Sequence, residues 1–251
     1  GLTGDTRALD AARATCDNMA GTVDGKTFDF TNCRNPGWFL IHMCAGYRAT
    51  LEKRYLNAAH IVVERVIERQ RESGGWERMM RPGHCYCDPP RHTGNAAFMV
   101  SLLMAGLKRY HQITRDPRVR RCIVRAAYYV IDSYWVAETR TFRYTNCPHI
   151  WVHASMNPQM LEGLGYAWRL SESRAIGEVL VGAVERCFAA TDSESRVDRT
   201  LSVEVPGYPR REFNEEADQG FGKMISLRMR QAPFALFDYE KAKAARGAGC
   251  S

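Results

Sequence analysis

No run of apolar residues in this chain reaches the roughly 20 that a bilayer-crossing helix needs, so the sequence excludes a helical membrane span. It carries no nucleic-acid-binding motif, and its 35 Lys and Arg are spread along the chain rather than gathered into a patch, which argues against a nucleic-acid partner. No secretory leader is visible, which leaves the compartment open. A disulfide framework is also missing. The nine cysteines, at 16, 33, 44, 85, 87, 122, 147, 187 and 250, are odd in number and irregular in spacing, and Cys44, Cys122 and Cys187 sit in helical stretches as packed thiols. Acidic residues are in deficit, 28 against 35 basic ones, for a net charge of +7. That excess either attracts a polyanion or reflects solvated, Arg-rich helices. With 45% hydrophobic and 25% charged residues, the 251-residue chain has the composition of one globular domain or a piece of one.

What the chain does have is an internal repeat. A Thr/Leu-x-acid-x-Arg pattern reads Thr3-Gly4-Asp5-Thr6-Arg7, Thr50-Leu51-Glu52-Lys53-Arg54, Thr114-Arg115-Asp116-Pro117-Arg118 and Leu170-Ser171-Glu172-Ser173-Arg174, with arginines 47, 64 and 56 residues apart. Such spacing marks one supersecondary unit used repeatedly. Residues 37–47, 95–107 and 160–168, just before three of the copies, are apolar nearly all round and predict buried helices. Residues 61–70, 118–135 and 174–188, which follow, alternate apolar and charged residues at helical spacing and predict outer helices. The unit is an αα-hairpin. Hairpins of this kind stack because each has an apolar face it cannot bury alone. The apolar inner helices favour a closed double ring over an open solenoid, so the expected fold is all-α, an (α/α) hairpin toroid. The chain starts inside a repeat and ends on a weak hairpin near 216–246. That predicts a single domain over 1–251 which is a fragment lacking N-terminal hairpins, completed by a missing segment or a partner chain.

Turns inside the hairpins are short. Connections between them, near 20–36, 71–94, 136–156 and 190–215, are long. In a ring of hairpins these loops emerge on one rim, where a rigid scaffold concentrates binding residues. One loop runs from Arg81-Pro82-Gly83-His84-Cys85-Tyr86-Cys87-Asp88 through Arg91-His92-Thr93-Gly94-Asn95; another runs from Phe142-Arg143-Tyr144 through Cys147-Pro148-His149-Ile150-Trp151-Val152-His153. They hold four of the seven histidines; His42, His60 and His111 lie in or beside helices and read as structural.

Three chemistries fit these loops. β-Elimination from a uronate needs a base, an acid and a group that neutralises the carboxylate. His84, His92, Tyr86, Tyr144, His149 and His153 are candidates for the proton transfers. Arg81, Arg91, Arg143 and Asn95 are candidates for the carboxylate, and Trp38 and Trp151 for stacking on sugar rings. Inverting hydrolysis needs two carboxylates about 6.5–9.5 Å apart, and the rim offers Asp88, Glu162, Glu212, Glu215, Glu216 and Asp218. Neither reaction requires a cofactor. The third chemistry is a metal: His84, Cys85, Cys87, Asp88 and His92, with Cys147 and His149, supply donors for a zinc or calcium ion, although Cys-x-Cys is tighter than the usual structural zinc spacing.

The Thr-Gly-Asp-x-Arg repeats, Gly74-Gly75-Trp76 and the His-rich loops resemble the six-hairpin (α/α) toroid superfamily of polysaccharide lyases and glycoside hydrolases. The loop from His84 to Asn95 resembles its exo-rhamnogalacturonan-lyase-like and uncharacterised branches. The resemblance implies the toroid fold, an acidic oligo- or polysaccharide as partner and, by analogy, a secreted or periplasmic enzyme. The residues favour a lyase, with His84 or His92 as base and Tyr86 or Tyr144 as acid. The alternatives are an inverting hydrolase and a non-catalytic helical-repeat scaffold.

Overall fold

The computed structural model describes residues 6–24, 28–150, 156–189 and 233–248. The turn expected at 1–5, the loop at 190–215 and the first helix of the last hairpin lie outside the described residues. Eight helices are described: α1 (Thr6–Asp24), α2 (Arg34–Thr50), α3 (Lys53–Arg69), α4 (Ala97–Thr114), α5 (Pro117–Tyr134), α6 (Asn157–Ser171), α7 (Arg174–Ala189) and α8 (Pro233–Ala248). Two antiparallel ribbons of two-residue strands complete the list. β1 (Arg78–Met79) pairs with β2 (Thr93–Gly94), and β3 (Trp135–Val136) pairs with β4 (Thr141–Phe142). None of the described helices is long and apolar enough to cross a membrane.

The helices form the two layers that the repeat predicts. Inner helices α2, α4 and α6 pack in sequence on one another, outer helices α1, α3, α5 and α7 do the same behind them, and α8 packs against both α6 and α7. The inner layer is tight because it contains glycine where helices touch. A Cβ on Gly37 would sit 2.8 Å from the Leu102 and Leu103 backbone, and one on Gly106 would sit 2.8 Å from the Gly37 carbonyl. Phe39, Leu40, Met43, Leu103, Leu107, Leu161 and Leu164 fill the space between the layers. At the far edge, Phe188, Leu236 and Phe237 remain exposed.

The repeated pattern is a turn with a specific hydrogen-bond plan. Each inner helix ends on a left-handed residue, Leu51 (φ 60°), Arg115 (φ 58°) or Glu172 (φ 52°), whose N–H donates to the carbonyl four residues back. The hydroxyl of the residue before it bridges the turn. Thr50 Oγ1 donates to Gly46 O (2.9 Å) and accepts from Glu52 N (3.2 Å); Thr114 does the same with Tyr110 and Asp116, and Ser171 with Ala167 and Ser173. This geometry corrects the alignment of the fourth copy by one residue. Ser171, not Leu170, matches Thr50 and Thr114, and Glu172 occupies the left-handed position rather than the acid position. The conserved roles are hydroxyl and cap, and serine serves as well as threonine in the first. The arginines then tie neighbouring outer helices together. Arg54 reaches Asp17 on α1 (2.9 Å) and Arg118 reaches Glu64 on α3 (2.6 Å).

The three helical histidines have internal partners. His42 Nδ1 lies 2.7 Å from Trp38 O, His60 Nδ1 2.9 Å from the Tyr110 hydroxyl and His111 Nδ1 2.8 Å from the Tyr166 hydroxyl.

Candidate functional site

The rim is built by the two long connections that lead into α4 and α6. In the first, the β1–β2 ribbon closes the neck of a loop over residues 80–92, reinforced by Met80 N–H donating to His92 O (3.0 Å). The second follows β4 and is laid against the first by three hydrogen bonds. Thr145 Oγ1 donates to His84 O (2.9 Å), Asn146 Nδ2 to Thr93 O (2.8 Å) and Ala97 N to Tyr144 O (2.8 Å). Contact is so close at Gly94 that a Cβ there would fall 2.7 Å from Asn146 Oδ1.

Between this rim and the start of α2 lies a cavity of about 520 Å³, walled by Asn32, Arg34, Asn35, Trp38, Arg78, Arg81, Pro82, His84 and Met99. Three guanidiniums, an indole and an imidazole therefore face one space, and no Asp or Glu lines it among the described residues. Asn32 shapes its floor, since Oδ1 accepts from the Arg34 and Asn35 amides at the first turn of α2 (2.9 and 3.2 Å). The N-terminus of that helix adds positive potential. Arg78 Nη2 donates to His84 Nδ1 (3.2 Å). Burial and the Arg78 charge both push the His84 pKa down, so the ring is neutral. The Tyr144 ring lies 5.7 Å from the His84 ring and stacks on Phe98. Burial, with Tyr86 nearby, raises the Tyr144 pKa, so its hydroxyl keeps its proton. Asp29 stands just outside the wall, exposed, with Oδ2 accepting from Asn35 Nδ2 (3.0 Å). Hydrogen bonds from Thr31 hold its carboxyl below the usual range, and the Arg78 charge adds to the effect.

Of the residues singled out by sequence, Trp38, Arg81 and His84 line this cavity and Tyr144 flanks it. Tyr86, Arg91, His92, Arg143 and His149 are not in its wall. Tyr86 packs against the core, Arg143 is half-buried after β4 and His149 is buried. Asn95 braces the framework. It is buried, its Oδ1 accepts from Cys33 N and Arg78 Nε (3.4 Å each), its amide donates to Trp76 O, and its carbonyl accepts from the Tyr134 hydroxyl (3.0 Å). It borders a smaller cavity of about 350 Å³ on the α3 side. Trp151 and His153 lie outside the described residues, as do Glu212, Glu215, Glu216 and Asp218. Glu162 is buried between Lys108 (3.2 Å) and Arg109 (2.8 Å), a neutralised group inside the inner layer rather than a rim acid. Sequence reasoning missed Asn32, Arg34, Asn35 and Arg78. The available signal was position alone, since all four lie in or beside the long loops assigned to the rim.

A second group forms behind the cavity wall. His92 Nδ1 lies 3.5 Å from the sulfurs of both Cys85 and Cys87, and each of those sulfurs is 4.0 Å from Cys147 Sγ. The four donor atoms all fall within 4.8 Å of one another. The thiols are fully buried, and the eight described cysteines are free. Burial opposes ionisation of Cys85, but the His92 ring and the backbone N–H groups of His92, Arg91 and Cys87 outweigh it and lower the pKa. Cys147 moves the opposite way, pushed up by burial and by the charge of its two neighbours. Three thiolates can share this space only with a cation among them. The residues can hold a metal, and the donor set of three sulfurs and one nitrogen suits a borderline ion such as zinc rather than calcium. Asp88, His84 and His149, also expected among the ligands, stand outside the group, Asp88 on the exposed surface.

No family model and no curated protein matches the sequence. Among solved structures, the chain is similar to a glycosyl hydrolase family 88 protein from Bacteroides vulgatus, at 15% identity and a TM-score of 0.66 over 96% of this chain and 70% of that one. It is similar to a polysaccharide lyase at 15% identity and a TM-score of 0.65, over 98% and 70%. It is also similar to an inactive variant of the α-1,6-mannanase GH76A of Salegentibacter sp. HEL1_6 in complex with α-1,6-mannotriose, at 12% identity and a TM-score of 0.56, over 75% and 56%. The fold is the six-hairpin (α/α) toroid type that several families of carbohydrate-active enzymes share. The chain spans 56–70% of the length of these three structures. Because the likeness is spread over two kinds of hydrolase and a lyase, it shows the fold and does not single out the branch expected from the His84–Asn95 loop.

Proposed function

We propose that this chain carries the site of a carbohydrate-active enzyme that cleaves an acidic, uronate-containing polysaccharide by β-elimination. The observation that carries this reading is the cavity wall, where Arg34, Arg78 and Arg81 converge with Trp38 and His84 and, among the described residues, no carboxylate is present. Guanidiniums pair with a carboxylate in bidentate fashion, which favours the carbanion-like transition state formed when the C5 proton leaves. Trp38 offers a ring face for stacking. His84 is the base. In the free site its Nδ1 lone pair accepts from Arg78, and a uronate carboxylate competing for that guanidinium would release the lone pair for proton abstraction. The protonated Tyr144 hydroxyl, beside His84, is the acid for the departing glycosidic oxygen. The likeness to two glycoside hydrolases and a polysaccharide lyase supports a sugar-processing role, and the acidic preference rests on the arginines.

Inverting hydrolysis is the second reading. Asp29, next to the cavity, is the carboxylate that favours it, and a partner carboxylate is required. The test is incubation of the purified chain with a panel of uronate-containing polysaccharides, following ultraviolet absorbance and reducing ends together. Rising absorbance from an unsaturated uronate is the expected result. New reducing ends without absorbance would replace elimination by hydrolysis, and neither signal would replace the enzyme by a binding scaffold.

A further inference from the structure

We infer that Cys85, Cys87, His92 and Cys147 form a closed, structural zinc site that fastens the two rim loops to each other. Four donors at the usual zinc distances of about 2.3 Å for sulfur and 2.0 Å for nitrogen, arranged tetrahedrally, lie roughly 3.5–3.8 Å apart. The separations here are 3.5 Å from nitrogen to each of two sulfurs and 4.0 Å for two of the sulfur pairs. The space fits one ion; a two-iron cluster would hold its ligands farther apart. All four tetrahedral positions are filled by protein, which leaves no place for a substrate or an activated water and assigns the ion to structure rather than catalysis.

The backbone around the group supports the same assignment. Backbone groups of Cys87, Arg91 and His92 favour negative charge on the Cys85 sulfur, and those of Tyr86 and His149 favour it on the Cys147 sulfur. Such outer-shell donors orient thiolate ligands and offset their charge. On binding, each thiol gives its proton to solvent and the sulfur lone pair goes to Zn²⁺, with no change of oxidation state. Three ligands come from the 80–92 loop and the fourth from the loop after β4, so the ion closes a link between segments about 60 residues apart in sequence. His84 precedes the first ligand, Tyr86 lies between two ligands, and Tyr144 lies three residues before the last. The ion therefore fixes the wall of the cavity without entering it.

The test is elemental analysis of the full chain purified without chelator or added metal. About one zinc ion per chain is expected, retained through dialysis and released when the thiols are modified. Replacement by Co²⁺ should give the intense visible bands and thiolate charge transfer of a tetrahedral centre. Cys85→Ser and Cys147→Ser should lose most of the zinc. His92→Cys should keep it, because a fourth thiolate completes the same tetrahedron, and Cys122→Ser, a buried thiol elsewhere, should keep it as well. Should either ligand variant fail to fold, the cobalt spectrum of the unaltered chain and the zinc content of His92→Cys still decide the matter. Zinc-free protein with free thiols, a disulfide among these cysteines, an octahedral cobalt spectrum, or undiminished zinc in both serine variants would each overturn the assignment. None of these readouts depends on turnover, so the site stands or falls separately from the proposed reaction.

Discussion

At one end of the molecule α2–α3, α4–α5 and α6–α7 are each joined by two residues, with the same left-handed cap and the same bridging hydroxyl at Thr50, Thr114 and Ser171. At the other end the connections into α4 and α6 run for more than twenty residues and share no sequence pattern. They are held by contacts made once only: Asn95 to Cys33 and Trp76, Thr145 to His84, and the Cys85–Cys87–His92–Cys147 group. The same helices thus have an end where backbone economy is repeated and an end where polar chemistry is singular. A repeated turn needs only to reverse the chain. A rim that must present Arg34, Arg78, Arg81 and His84 to one space needs its own supports, and those supports differ from loop to loop.

The comparison implies that damage at the rim should appear in activity and damage elsewhere in stability. The largest effect is expected for His84→Ala. Removing a base from the reaction costs about 10²–10⁴-fold in turnover, with the melting temperature nearly unchanged because the backbone carbonyl that Thr145 uses is retained. A variant that melts much lower would show that His84 belongs to the framework. Glu162→Gln is the converse case. Glu162 is the only acid paired with Lys108 and Arg109 in the described contacts, and Lys108 is itself buried, which pushes its pKa down. Leaving that ammonium uncompensated is expected to lower unfolding free energy by about 3–5 kcal/mol in chemical denaturation. Turnover by the folded fraction should change little, and a selective loss of turnover would return Glu162 to the list of catalytic acids.

The turn end was the more legible in the sequence, because a hydroxyl, a cap and an apolar helix leave local marks. The slip at the fourth copy has the same origin: Leu170, Glu172 and Arg174 satisfy the pattern by residue type, whereas the left-handed φ at Glu172 and the Ser171 hydroxyl bridge place the turn one residue later. The rim was legible by composition but not by partnership. Its cysteines and histidines stood out, yet His92 and Asp88 could not be sorted between base, ligand and bystander, because Cys147 joins Cys85 and Cys87 from about 60 residues away. Arg34 and Arg78 were marked only by their position in or beside the long loops. In sequence, an arginine at a helix start or on a two-residue strand resembles any solvated one until the loops are folded against each other.

The smallest expected effect sharpens the turn side of the comparison. Asp116 caps α5 by accepting from Arg118 N (2.8 Å), and its carboxylate also pairs with the Arg118 guanidinium (2.8 Å). Those contacts, led by the guanidinium hydrogen bond, hold its pKa below the usual value. A carboxyl with a lowered folded pKa contributes stability that is fully present above its unfolded value of about 3.9 and is lost as pH falls through the lower folded value. Asp116→Asn keeps a capping oxygen but loses the charge. Because Arg118 is 44% exposed, solvent screening keeps the difference to roughly 0.5 kcal/mol near neutral pH. Thermal unfolding of the two proteins should therefore differ slightly at neutral pH and converge in acid. Curves that stay parallel down to the acid limit would mean that the charge contributes nothing and that the turn is held by its hydroxyl bridge and cap geometry alone.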